Sequence, residues 1–153
     1  MQRLRHRALP PGVTATDFGI RGIDLVYALL DGHDAVILVD AAPRGAPPGT
    51  VSVIAVEPAA EPAADGASDF SPHALDPASV LALVRALGGE APPILLVACE
   101  PQTLGGEEGA MGLSPPVAAA IEPAIDAIEA LVQRLRNETT EGSVRCGSLD
   151  LAC

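Results

Sequence analysis

Four aliphatic residues in succession, Val36 to Val39, sit in the stretch AVILVDAAPRG, and the run stops on a carboxylate, Asp40, before a small-residue and proline loop. A run that short and apolar at every position fits a strand covered on both faces, because a half-exposed strand would alternate. Such a strand demands apolar layers above and below it. It also leaves Asp40 where the strand meets the surface, and the other residues must explain what that acid does.

The segments around the run supply the layers. Val13 to Thr16 reads as a short strand. Gly22 to Asp31 carries Ile23, Val26, Leu29 and Leu30 at the spacing of one helical face, closed by Gly32. Strand, helix and strand with short links predict two parallel strands joined by a right-handed crossover. Thr50 to Val56 (TVSVIAV) alternates enough for an edge strand, which could pair antiparallel with Val36 to Val39. Glu57 to Ser71, rich in Ala, Pro and acids without periodicity, reads as a flexible loop.

Further along, Asp76-Pro77 has the chemistry of a helix start, an N-cap acid followed by proline at the first helical position. Val80, Leu81, Val84 and Leu87 then form one apolar face, which stops at Gly88-Gly89. Ile94 to Ala98 (ILLVA) is a second fully apolar strand. Ser114-Pro115 opens a long helix to about Arg136, bent at Pro123. Residues 1–136 form a single domain on this reading, and the polar residues 137–153 a disordered tail. The pattern is α/β, with a mostly parallel sheet between helices.

Composition narrows the partners. With 48% hydrophobic but only 2% aromatic residues, the interior must be aliphatic. The net charge is −11, and all nine basic side chains are arginine, unclustered, so counterion release cannot drive binding to nucleic acid, and an anionic membrane would repel the chain. No apolar run approaches the roughly 20 residues that span a bilayer. Met1 to Leu9 has arginines but no apolar stretch behind them, so it is no secretion signal. The odd set Cys99, Cys146 and Cys153 has no CxxC spacing, which suits a reducing cytoplasm and gives neither a disulfide framework nor a zinc site.

In open α/β sheets ligands sit beyond the carboxyl ends of the strands, and Asp17, Asp40 and Cys99 each close a predicted strand there. His73, just before the helix that follows the edge strand, can reach the same rim. A carboxylate and an imidazole converging there suit nickel or zinc better than calcium, and Asp40 with His73 is the pair of choice. The plain alternatives are an acid that caps a turn and a histidine in an ordinary loop. Gly19 and Gly22 in TDFGIRG permit a tight turn beside Asp17, but GxxG with a preceding acid is a poor phosphate site. The Gly105–Gly112 stretch lacks the lysine of a phosphate loop and carries two acids, so it reads as a surface loop. No GxSxG occurs, and Cys99 reads as a small buried hydrophobe.

Taken together, TDFGIRGIDLVYALL, AVILVDAAPRG, SPHALDPASVLAL and ACEPQTLGG with GLSPPVAAAI, in this order and spacing, resemble the hydrogenase maturation proteases over about Pro10 to Arg136. The resemblance implies a three-layer α/β fold with a mostly parallel sheet and an antiparallel edge strand. It implies a cytoplasmic, monomeric endopeptidase that removes the C-terminal extension from the large-subunit precursor of a nickel-iron hydrogenase after nickel insertion. Nickel, carried by the precursor, is held in that family by two acids and a histidine. Asp40 and His73 match one acid and the histidine, as metal-ligating and catalytic residues. Asp17, Gly19 and Gly22 match the family's Asp-x-Gly-x-x-Gly turn beside the substrate.

The chain also departs from the pattern. Family members open with a strand ending in Gly-Asn, followed by paired acids and a glycine that supply the first acidic ligand, whereas the only asparagine here is Asn137. The family's first strand and most of its first helix thus have no counterpart, and RLRHRALPPGV reads as the last turn of that helix. The expectation is that the reading frame upstream of Met1 encodes the missing strand, motif and acidic pair. Two other classes remain open at this point: a non-catalytic homologue that docks onto a metalloprotein, and a metal-dependent hydrolase of small peptides that binds its own metal.

Overall fold

The computed structural model describes residues 2–5, 7–19, 21–56, 77–104, 112–141 and 149–152. Its organising strand is β2 (Ala35–Ala41), which contains the AVILV run. Successive residues of a strand face opposite sides, and here they enter two different cores. Ala35 and Ile37 pack with Val13, Val97 and Ile125, Ile128, Leu131 and Val132 of a long C-terminal helix. Val36 and Leu38 pack with Val26 and Leu29 on one helix and Val80, Leu81 and Val84 on another. The expected cover on both faces is therefore present, and the fold is three-layered.

The other strands are β1 (Val13–Thr16), β3 (Val51–Val56), β4 (Ile94–Cys99) and β5 (Leu149–Ala152), in the spatial order β1-β5-β2-β4-β3. The pairings β1–β5, β5–β2 and β2–β4 are parallel, and β3 joins antiparallel at the edge. The expected partner of the edge strand was β2. The strand pairs instead with β4, from Val51 opposite Cys99 to Val56 opposite Ile94. Both sides of β2 are already taken by β4 and β5, and β3, with half-buried and exposed residues interspersed, suits a position with one free flank.

The helices are α1 (Gln2–Arg5), α2 (Gly22–Leu30), α3 (Pro77–Ala86), α4 (Pro115–Ala119) and α5 (Ile121–Glu141). The apolar face of α3 is Val80, Leu81 and Val84, all buried. Leu87 falls outside it: the helix ends at Ala86 with the bonds Gly88 N–H to Arg85 C=O and Gly89 N–H to Val84 C=O, and Leu87 is 53% exposed. The predicted single helix from Pro115 is two, broken at Ala120. Pro123 has no N–H for the carbonyl of Ala119 and its ring would clash with it, so it is accommodated in the first turn of a new helix.

The C-terminal segment differs from the disordered tail that its polarity predicts. Helix α5 continues to Glu141, and residues 149–152 form β5 in the sheet interior, in register with Val13 to Thr16 on one side and Ala35 to Leu38 on the other. An interior slot between parallel strands exposes backbone donors and acceptors on both flanks, and a four-residue strand satisfies both rows. That slot separates β1 from β2, which are both parallel to it. Among the described residues, no helix is long and apolar enough to cross a membrane.

Candidate functional site

Strands β1, β2 and β4 run the same way, so Asp17 after β1, Asp40 near the end of β2 and Cys99 at the end of β4 share one rim, as the strand pattern predicts. Strand β5 lies between β1 and β2. At a strand spacing of about 4.8 Å, the lines of Asp17 and Asp40 are about 10 Å apart.

Asp40 is exposed, and its Oδ1 accepts the N–H of Ala41 at 2.7 Å. Its position alternates with Val36 and Leu38, which places it on the sheet face covered by α2 and α3. Ladder pairing holds its backbone: Asp40 lies opposite Ala98, Ala41 opposite Cys99, and Ala42 donates its N–H to the Cys99 carbonyl at 3.1 Å.

The loop that follows is held by a residue that spacing alone did not single out. Glu100, directly after β4, is buried at 8% exposure and reaches back more than fifty positions. Its Oε2 accepts the N–H of Arg44 at 2.8 Å and of Ala46 at 3.2 Å, and its Oε1 accepts that of Gly45 at 3.3 Å. Three successive backbone N–H groups thus cradle one carboxylate. The Glu100 main chain extends the clasp, donating to the Thr50 carbonyl at 2.9 Å and accepting from Gly49 at 2.8 Å. The Arg44 N–H above all, helped by those of Ala46 and Gly45, holds the Glu100 carboxyl below the usual carboxylate range, against an opposing push from its burial. An acid immediately after a buried strand was the one available signal, and its partners are invisible to any local motif.

Asp17 is also exposed, but it is held differently. Its Oδ1 accepts the N–H of Gly19 at 3.2 Å, the Phe18 carbonyl accepts the N–H of Arg21 at 2.9 Å, and Arg21 pairs with Asp24 at 3.2 Å. Gly19 has φ +55°, and Gly22 opens α2. The turn is therefore tight, as two glycines three apart suggested, and every bond in it is local.

Cys99 is a free, half-buried thiol, and burial first, then the Glu100 charge, pushes its pKa up, which leaves it protonated at neutral pH and unsuited to nucleophilic attack. His33 donates from Nε2 to the Ala28 carbonyl at 2.8 Å at the end of α2. His73 and residues 105–111 lie outside the described residues, so the pairing of Asp40 with His73 has no measured distance. Among the described residues, no three His, Cys, Asp or Glu side chains converge as a metal site.

An exposed carboxylate thus stands at the carboxyl rim of a three-layer α/β sheet, where ligands of such sheets bind, just before a loop clamped by Glu100. Residues 1–131 match the hydrogenase maturation protease family, and the chain belongs to that family of peptidases. It is 32% identical over 126 residues to the Hydrogenase 2 maturation protease of Escherichia coli K12, covering 82% of this chain and 73% of that one. Among solved structures, the hydrogenase maturating endopeptidase HybD from E. coli superposes with a TM-score of 0.68 at 31% identity, over 87% of this chain and 79% of HybD. A hydrogenase 2 maturation peptidase from Thaumarchaeota archaeon SCGC_AB-539-E09 superposes with a TM-score of 0.57 at 25% identity, over 85% and 83% of the two chains.

Proposed function

We propose that this peptidase removes the C-terminal extension of a nickel-loaded hydrogenase large-subunit precursor, and that Asp40 and His73 grip the nickel that the precursor carries. The observation that carries the reading is Asp40 itself, an exposed carboxylate near the end of β2, just before a braced loop, at the ligand-binding rim of a maturation-protease fold. A hard oxygen donor and an imidazole nitrogen together suit a borderline ion.

The course of α3 supports a role for His73. At the end of α3, a methyl on Gly89 would collide with Leu30, the last residue of α2, so both helices end at the same end of the sheet. Helix α2 starts from the rim, just after the Asp17 turn, and α3 therefore also starts there. His73 is four positions before Pro77, within about 14 Å of chain from that start.

In this reading the nickel is part of the substrate. Only a loaded precursor offers an ion for Asp40 and His73 to hold, and holding it fixes the scissile bond relative to the enzyme. Asp17, Gly19 and Gly22 form the neighbouring wall against which the extended peptide lies. Ligation needs neutral imidazole, so recognition weakens as pH falls through the histidine range, near 6.5 for an unperturbed group.

The test is to mix the protein with nickel-loaded and nickel-free precursor and to follow the mass of the precursor. Loss of a C-terminal peptide from the loaded form alone is expected, and His73→Ala should abolish it while melting at the native temperature. Native processing by His73→Ala would remove His73 from the site. Intact precursor bound stably by the native protein would favour a docking module instead.

A further inference from the structure

Glu100 has no place in the chemistry above, yet it is the buried charged side chain of the described core and has its carboxylate filled by three backbone donors. A buried acid is costly unless its charge is answered. Here the answer comes from the segment that leaves Asp40. The ladder fixes that segment up to Ala42, and Glu100 fixes it again at Arg44, Gly45 and Ala46. Asp40 thus sits in the last rungs of the ladder, and the chain is anchored a second time on the end of β4 four residues beyond it. The loop is anchored on its far side too: a methyl on Gly49 would lie 2.6 Å from the Pro116 carbonyl oxygen, so the chain there rests directly on α4.

We infer that Glu100 is a positioning residue for the peptidase reaction: its side chain clamps the loop at residues 44–46 and so aims the Asp40 carboxylate at the ion presented by the substrate. The inference rests on the reading of Asp40 as a nickel ligand and adds the residue that sets its aim. A ligand must be held within about half an ångström of its productive place to discriminate between loaded and empty substrates. The ladder fixes the Asp40 backbone, but Asp40 is the last residue but one of β2. A free proline and glycine loop pulling directly on that strand end would let it fray and shift the carboxylate. The three bonds to Glu100 remove that freedom at the nearest point beyond the strand.

The effect therefore belongs to discrimination more than to binding as such. A variant that only weakened the fold would lose affinity for both forms of the precursor alike. A variant that misaims Asp40 would keep its grip on the polypeptide and lose its preference for the metal.

The experiment compares native protein, Glu100→Ala, Glu100→Gln and Asp40→Asn in two measurements: hydrogen exchange at the amides of residues 44–46, and affinity for nickel-loaded against nickel-free precursor. In Glu100→Ala, exchange at these three amides should rise at least tenfold while the β2–β4 ladder stays protected, and the preference for loaded precursor should fall about tenfold with affinity for the empty form unchanged. Glu100→Gln has one carbonyl oxygen, which can keep the Arg44 and Ala46 bonds, so it should fold even where the alanine variant does not, with an intermediate loss of preference. Native preference in both Glu100 variants, or exchange at residues 44–46 no faster than in the native protein, overturns the inference. Equal loss of affinity for both precursor forms also overturns it, in favour of a purely structural role. Native preference in Asp40→Asn instead brings down the assignment of Asp40, and with it the route given to Glu100.

Discussion

The loop after Asp40 and the turn after Asp17 leave the same end of the sheet, yet the first is tied to Glu100, more than fifty positions away, and the second only to its own neighbours. Both acids are exposed, and both stand at the carboxyl end of a parallel strand. The difference lies in what holds the backbone behind them. Around Asp40 a buried carboxylate, the end of β4 and helix α4 all bear on one loop. Around Asp17 an Asx-type turn and one surface ion pair suffice. Such an exposed pair contributes about 1 kcal/mol or less. A loop braced by tertiary bonds can hold a ligand still, whereas a turn held by itself can yield to a passing peptide. The contrast supports the roles proposed for the two acids, Asp40 as the grip on the ion and Asp17 as a substrate wall.

The largest expected break in that contrast is chemical. Asp40→Asn keeps the shape and removes the charge, and it should slow precursor processing about a thousandfold, or about 4 kcal/mol of activation free energy. Asp17→Asn should cost about tenfold or less. Single-turnover processing of loaded precursor measures both, and equal losses would erase the distinction between the two acids.

Next come the glycines of the two segments, both at positive φ. Gly49 has φ +85° and no room, and Gly49→Ala should cost about 2–5 kcal/mol through strain and collision with Pro116. Gly19 has φ +55° and open space around it, so Gly19→Ala should cost only about 1 kcal/mol. Thermal melting separates them, and a Gly49→Ala protein that melts with Gly19→Ala would show the braced loop to be slack.

A subtler difference concerns acid. The folded-state pKa of Glu100 is lowered, chiefly by the Arg44 N–H, and the Arg44 charge acts in the same direction. Its contribution to stability is therefore fully present above the unfolded value near 4.3 and is lost as pH falls through the lower folded value. Melts of native protein and Glu100→Ala against pH should differ by a constant amount above about pH 5 and converge in more acid solution. A gap that stays open at low pH would mean that packing, not the charge, holds the loop. Smallest of all, Asp17→Ala should cost about 0.5–1 kcal/mol, the worth of one exposed hydrogen bond.

Much of this molecule is written in short windows of its sequence. The AVILV and ILLVA runs, the α2 and α3 faces apart from the exposed Ile23 and Leu87, the turn at Asp17 and the helix start at Pro77 all depend on residues within a few positions of one another, and periodicity and capping report such relations directly. The family, too, was legible in four short blocks. Other features were decided by competition between distant segments. Strand β3 went to β4 because β2 had no free flank, and residues 149–152 took an interior slot despite their polar surroundings in sequence. Glu100 is the clearest case. In sequence it is one acid among twenty, and only the sheet, by bringing the end of β4 under the loop from β2, gave it three amides to hold. Hydrophobic spacing encodes which face of an element is buried; which backbone amides will need a buried charge is settled only when the chain has closed over them.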